Sequence, residues 1–272
     1  MFRSKLPAVN RSNPLQSRLM LMALVLGVPA LSLATPVTGE LDLGGSSATA
    51  GTLFINFNCN PGITLAPCPA PANFGNFTTT GGTGSFAPYN GQGGYIQDLG
   101  IGTTPINQAF TLNNFLIFSS AAGNPVASPD IALNLTFLFP GIDGQAQCLA
   151  APAAGQLCTP SFAGLVTAAN PLGLSTFNLQ NTQTGSTASF SVAGTAKRIS
   201  TGEISAFTGI FTAQFDVPYQ TVLANLASNG SVTNSYSATF AATVVPEPVT
   251  MSLMGIGLIG LALLGHRRRV VK

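Results

Sequence analysis

Apolar side chains alternate with small polar ones along the middle of this chain, and this period of two sets the narrowest limit on its fold. Successive side chains of a β-strand point to opposite faces, so the alternation predicts strands with one buried face. Clusters of Gly, Pro, Asn or Asp bound each run, as in turns between short strands. The pattern predicts an all-β fold with a β-sandwich or jelly-roll-like arrangement. The clearest runs are residues 52–58, 131–139, 205–217 and 232–244, and weaker ones are 110–118, 174–179 and 188–192.

Strict alternation also predicts which side chains form the core. In the run 131–139 it places Ile131, Leu133, Leu135, Phe137 and Phe139 on one inward face. The other runs carry Phe at inward positions and mostly Ser, Thr, Gly or Asn between them. We therefore expect a Phe-rich interior under a nearly uncharged surface.

One helix is predicted between the last two strands. Asp216 can cap its start, Pro218 suits its first turn, and Gly230 can end it. Its buried stripe follows the i, i+3, i+4, i+7 spacing and consists of Tyr219, Val222, Leu223 and Leu226.

Charge is scarce and unevenly distributed. Charged residues make up 7% of the chain, against about 25% in ordinary soluble domains. Residues 35–246 hold two cations, Lys197 and Arg198, against seven acids, so this part has no basic patch for nucleic acid. The sole histidine, His266, lies in the C-terminal tail, and the acids are scattered rather than paired. We therefore expect a protein that is not an enzyme and has no cofactor.

The N-terminus has the pattern of a secretory signal peptide over residues 1–34. A basic region without acids ends at Arg18, and a short apolar region follows it. Small residues at Ser32 and Ala34 predict cleavage by signal peptidase after Ala34, and Ala30 is the second choice. An uncleaved membrane anchor is the alternative, although Pro29 interrupts the apolar run.

The C-terminus, residues 245–272, has three parts in a fixed order. Val245-Pro246-Glu247-Pro248 comes first, and residues 249–265 form an uncharged, mostly apolar segment. As a helix this segment would span about 25 Å, close to the lower limit for a bilayer core, so we predict a transmembrane helix. Arg267, Arg268 and Arg269 follow it, and the positive-inside rule places them in the cytoplasm. Everything before residue 249 is then exported, in agreement with the signal peptide.

This arrangement resembles the PEP-CTERM sorting signal of exported bacterial proteins. The resemblance rests on Val-Pro-Glu-Pro, the apolar segment and the Arg cluster, about a tenth of the chain. It implies processing near Pro246, Glu247 and Pro248 by an exosortase, with those residues recognised rather than catalytic. It also implies an inner-membrane-anchored precursor that is released to, or attached at, the cell surface, commonly in bacteria that make exopolysaccharide. A plain single-span anchor that stays in the membrane is the alternative.

The four cysteines fall into two local pairs in Pro- and Gly-rich segments. Three pairings are possible, and we predict the disulfides Cys59–Cys68 and Cys148–Cys158, which export makes chemically plausible. Neither spacing fits a zinc site, and no internal histidine is present, so we predict no metal. A Ca²⁺ site built on Asp98, Asp130 or Asp143 is an alternative without a recognisable loop motif.

Taken together, these features predict an exported β-rich domain at 35–244 that is structural or adhesive. We expect it at the cell surface or in the extracellular matrix, in association with polysaccharide. A carbohydrate-binding module is the alternative. Tyr89 and Tyr95 are then the candidate aromatic contacts, although packing within a turn also explains them.

Overall fold

The computed structural model describes residues 35–64, 66–118 and 130–244, together with Gly257. The chain divides into two units, Met1–Thr35 and Pro36–Lys272, and every element below belongs to the second. The predicted signal peptide at 1–34 lies outside the described residues, as does the predicted sorting signal at 245–272 apart from Gly257. The prediction of a mostly β fold with one short helix is confirmed.

Most of the described elements follow one another closely, and long connections lie at 58–73, which holds the first disulfide, at 139–156, which leads to the second, and at 159–177. An α-helix, α1, spans Tyr219–Asn229, and two 3-10 helices span Gly84–Tyr89 and Ala163–Leu165. The strands are β1 (Gly39–Gly51), β2 (Phe54–Phe57), β3 (Phe74–Gly82), β4 (Gly93–Gln97), β5 (Leu99–Gly100), β6 (Ala109–Phe118), β7 (Ile131–Leu138), β8 (Leu157–Cys158), β9 (Asn178–Asn181), β10 (Ser186–Arg198), β11 (Ile204–Phe215) and β12 (Ser231–Thr243).

Eight strands form one sandwich-like sheet that closes on itself. Their order is β1, β3, β4, β6, β7, β10, β11 and β12, which returns to β1, and every neighbouring pair is antiparallel. The ring closes because β10 pairs with both β7 and β11. The four short strands β2, β5, β8 and β9 attach outside this ring. Each ring strand therefore has a hydrogen-bonded neighbour on both sides, and the ring has no free edge strand.

The strand registers define two ends of the ring. At the first, which we call the terminus end, Gly39 pairs with Ala242 and Thr243 pairs with Ala206. The chain thus enters and leaves the ring on adjacent strands. The opposite end, which we call the loop end, carries α1, both disulfide loops and the four short strands.

Phenylalanine fills the interior, as the alternation predicts. Along β10, alternate residues from Ser186 to Ala196 are buried, and the same period appears in β11 and β12. Phe190 and Phe211 are cross-strand partners whose rings stack with centroids 4.5 Å apart. Phe211 also meets Phe57 and Phe240 at 5.7 and 5.5 Å, so this ring stands at the centre of the aromatic core.

The predicted inward face of β7 is wrong at its C-terminal half. A β-bulge shifts the register, since Phe137 pairs with Ala193 while Leu135 pairs with Gly194, and Thr136 is left over. One extra residue reverses the side that every later side chain faces. Leu138 is therefore buried, whereas Phe139 is 41% exposed.

Local details near the turns also differ from the sequence prediction. Pro218, not Asp216, stands at the N-cap of α1, without a side-chain cap, whereas Gly230 ends the helix in the left-handed conformation as expected. Gly81 and Gly82 end β3, and Gly84 begins a 3-10 helix. Strands β1 and β3 were not predicted, because Gly, Ser and Thr dominate them and leave little alternation.

Substituting Phe211 with Ala should lower the free energy of unfolding by about 3–5 kcal/mol, because it leaves a cavity among five aromatic rings. Ile210→Ala, at the neighbouring position that is 44% exposed, should change it by about 0.5 kcal/mol or less. Urea denaturation of the two variants measures both values. Equal losses would contradict this account of the core.

Candidate functional site

The C-terminal end of β12 is where the folded domain meets the predicted sorting signal. Thr243 is the last residue of the strand and is paired with Ala206, and Val244 follows it with 52% of its surface exposed. Only three residues then separate Thr243 from Glu247, which limits the gap to about 14 Å when extended. The domain therefore leaves almost no stalk before Pro246.

The predicted sorting residues themselves lie outside the described residues, and so does Ala34. These are Pro246, Glu247, Pro248, Arg267, Arg268 and Arg269, and the transmembrane helix predicted at 249–265. Within residues 35–64, 66–118 and 130–244, no helix combines the length and the hydropathy needed to cross a membrane.

Asp130 joins β7 to the β10–β11 turn at the terminus end. Its carboxylate accepts hydrogen bonds from the backbone N–H and the hydroxyl of Ser200, at 2.8 and 2.9 Å. It also pairs with the Arg198 guanidinium at 3.0 Å. The Ser200 hydrogen bonds, with Arg198 in addition, hold the pKa of Asp130 below its usual range. This cluster fixes the turn beside the exit of the chain.

At the loop end, a fully buried asparagine holds the first disulfide loop. Cys59 and Cys68 are bonded, with Cα atoms 5.9 Å apart. The Asn76 side chain donates to the carbonyls of Ala66 and Asn60, at 2.6 and 2.9 Å, and accepts from the Asn60 N–H at 2.7 Å. A loop with little regular structure is thus pinned by one bridge and one amide.

The second disulfide, Cys148–Cys158, has Cα atoms 5.1 Å apart and lies against α1. The buried Tyr219 connects them, because its hydroxyl donates to the Gln147 carbonyl at 3.0 Å. Its N–H donates to the Asn181 side chain at 2.9 Å. The helix, β9 and this loop therefore form one rigid unit.

The structure does not place the two tyrosines in an open aromatic site. Tyr89 is buried, its ring stacks on Phe118 with centroids 4.1 Å apart, and its hydroxyl accepts from the Asp130 N–H at 3.0 Å. Tyr95 belongs to β4, and its hydroxyl donates to the Pro67 carbonyl at 3.2 Å. Both side chains are thus engaged within the fold: Tyr89 at the end of a 3-10 helix, in agreement with turn packing, and Tyr95 on a strand rather than in a turn.

The three candidate Ca²⁺ ligands are spread over the molecule. Asp130 stands at the terminus end, whereas Asp98 follows β4 at the loop end, where its carboxylate accepts from the Phe57 N–H at 2.7 Å. Burial raises the pKa of Asp98, and that hydrogen bond offsets part of the rise. Asp143 follows β7, also towards the loop end. Across the described ranges, no group of three His, Cys, Asp or Glu residues is close enough to hold a metal.

A groove of about 720 Å³ runs along the outer face of the ring. Phe139, Pro140 and Ile142 form one wall, where the chain leaves β7 after the bulge. The strands β10, β11 and β12 form the floor. The alternation of side chains does not predict this surface, because it places Phe139 inside. The run Phe137-Leu138-Phe139 was the available signal, since three consecutive large apolar residues cannot all share one face of a strand.

The comparisons with known proteins identify the C-terminal segment. The family model described as the PEP-CTERM protein-sorting motif matches residues 244–269. Searches of curated proteins and of solved structures found no match to the chain. The match begins one residue after the end of β12.

The two half-buried aspartates should respond in opposite ways to loss of charge. At pH 7, Asp130→Asn should lower the free energy of unfolding, because a depressed folded-state pKa stabilises the charged form. Asp98→Asn should leave it unchanged or raise it, because the amide oxygen can still accept from Phe57 while the cost of the buried charge disappears.

The effects of Asp130→Asn and Asp98→Asn on the free energy of unfolding should both become smaller at acidic pH. The stabilisation from Asp130 is complete above its unfolded pKa, about 3.9, and is lost as the pH falls through its folded pKa below that value. The cost of Asp98 is complete above its raised folded pKa and fades as the pH falls towards about 3.9. Urea denaturation at about pH 7 and pH 2 measures both. Equal destabilisation by the two substitutions at pH 7 would contradict these assignments.

Proposed function

We propose that this chain, which carries a PEP-CTERM sorting signal, is a non-catalytic protein of the bacterial surface or extracellular matrix that associates with exopolysaccharide. The signal implies export, a membrane-anchored precursor and processing by an exosortase. The observation that carries the proposal is the position of the signal, directly after the last strand of a closed, disulfide-pinned domain. Signal peptidase is the second processing enzyme in this scheme.

The chemistry of the exported domain supports a structural or adhesive role. It holds seven acids, two cations and no histidine before residue 247, so neither a His-dependent nucleophile nor a basic surface for nucleic acid is encoded there. Asp130 is engaged by Ser200 and Arg198, and Asp42 accepts a hydrogen bond from the Thr239 hydroxyl. A surface of Ser, Thr, Asn and Gly suits a hydrated polymer matrix, because these groups exchange hydrogen bonds with hydroxyls at little desolvation cost.

The geometry of the two ends supports the same proposal. Both the entering and the leaving strand lie at the terminus end, so a tail anchored in a membrane would hold that end nearest the bilayer. The loop end, with its two disulfides and α1, would then point away from the membrane. Rigid loops at that end would form the presented surface.

A carbohydrate-binding module at the cell surface is the second candidate function. Tyr89 and Tyr95 do not support it, since both are engaged in packing and hydrogen bonds. The outer-face groove does, because an exposed Phe stands beside hydroxyl-bearing strands.

Glu247→Ala should leave a protein that keeps its apolar tail and accumulates in the inner membrane, because the acidic residue between two prolines is the recognised group. The wild-type protein should appear in the medium or at the surface, shortened at both ends. Intact-mass analysis of medium and membrane fractions from the native host measures the cleavage sites and the disulfide count together.

Glu203→Ala is the matched control, since it removes the same side chain from the β10–β11 turn and should not alter processing. Recovery of wild-type protein only as the full-length chain in the inner membrane would overturn the proposal.

A further inference from the structure

We propose that the outer-face groove is a binding site for a neutral oligosaccharide, an inference that rests on the proposed association with exopolysaccharide. The groove holds about 720 Å³, and a second cavity, between α1 and the loop of the second disulfide, holds about 380 Å³. The cavity at the loop end inside the ring and the one under the 160–177 loop hold about 60 and 40 Å³. Of these four cavities, the groove offers the most room for a ligand of several sugar rings. The wall of the groove offers an aromatic ring, and its floor offers hydroxyl groups.

Phe139 stands in the wall of the groove, with the ring of Phe137 against it. The bulge at Thr136 turns Phe137 and Phe139 to the outer face, where their rings lie with centroids 4.9 Å apart. The backbone of Phe139 is held on both sides, because its N–H donates to the Ser191 carbonyl at 3.2 Å and its carbonyl accepts from the Thr176 hydroxyl at 2.8 Å. The face of an aromatic ring carries partial negative charge and attracts the C–H groups on the apolar face of a sugar ring.

Hydroxyl-bearing and apolar side chains alternate across the floor in strand register. Ser191 of β10 pairs with Ile210 of β11, which pairs with Thr239 of β12. In the next row, Ala193 pairs with Thr208. With strands about 4.8 Å apart, the row from Phe139 to Thr239 covers about 14 Å along the sheet. Hydroxyls spaced along an extended strip can exchange hydrogen bonds with several successive sugar hydroxyls.

The charge of the site selects a neutral ligand. None of the twelve lining residues is ionisable. Two acids lie one strand beyond the floor, on β1: Asp42 is the register partner of Thr239 and Glu40 that of Ala241. The Asp42 carboxylate accepts from the Thr239 hydroxyl at 2.7 Å. A carboxylate at this position repels uronate or phosphate groups and can accept hydrogen bonds from sugar hydroxyls. Gly81 of β3 is the register partner of Asp42, and its lack of a side chain leaves space for the Asp42 carboxylate.

The test measures binding of the full chain, purified in detergent, to neutral hexose oligosaccharides and to uronate-containing ones. We expect binding to at least one neutral oligosaccharide and none to the uronates. Phe139→Ala should weaken the neutral binding at least tenfold, and Thr239→Ala should weaken it severalfold. Phe139→Trp should retain it, because the larger ring keeps the stacking surface.

Phe54→Ala is the matched control. Phe54 is 38% exposed, close to the 41% of Phe139, but it lies on β2 at the loop end, so its loss should leave binding unchanged. Thermal melting of each variant checks that it folds. If Phe139→Ala fails to fold, Phe139→Trp and Thr239→Ala still decide the assignment.

Three results would overturn the groove assignment. These are neutral binding that all groove variants retain, binding restricted to uronates, and a dimer in sedimentation that Phe139→Ala dissociates while no oligosaccharide binds. The last result would make the groove a contact between two copies of the chain. None of these results affects the proposed function if fractionation still finds the processed protein in the matrix. If the processed protein is absent from both the cell surface and the matrix, the proposed function is overturned as well.

Discussion

The pairing of β10 with both β7 and β11 is the constraint on which the rest of the structure depends. The β10–β11 ladder runs from Ser186↔Phe215 to Lys197↔Ile204, and the β10–β7 ladder covers the half of β10 nearest the terminus end. Together they join the two halves of the chain into a ring. Because the ring is closed, alternate side chains from all eight strands meet in one interior, and Phe190 can stack on Phe211.

Closure also separates the molecule into regions with different chemistry. The terminus end holds the entering and leaving strands and the Asp130–Arg198 pair, whose hydrogen bonds keep the turn next to the exit rigid. The loop end has few charges and depends on disulfides and buried amides, because its Pro- and Gly-rich segments cannot build ladders of their own. The outer face between these ends carries the groove. A sorting signal at one end leaves the other end and the outer face free for contact with the surroundings.

Much of this could be predicted from local sequence. Alternation located β11 and β12 to within about two residues, because each face of those strands has a uniform chemistry. Short spacing between cysteines favoured the two bridges that the structure contains. Strands β1 and β3 escaped prediction because Gly44, Gly45 and the Thr-rich segment carry no apolar alternation, and only their partners hold them in the sheet. Asp216 failed as a helix cap because the helix starts later, after Pro218.

The groove could not be predicted from local sequence. The order of residues at 131–139 allows two arrangements, one with Phe139 inside and one with Leu138 inside. The choice depends on whether the register of β7 shifts against β10, a partner more than fifty residues away in the sequence. The addressing information at the C-terminal end of the chain needs no partner strand, because a sorting signal is recognised as a linear segment, and so the sequence alone was enough to find it. The side that each aromatic ring faces follows from pairing between distant strands, and only the closed sheet sets that pairing.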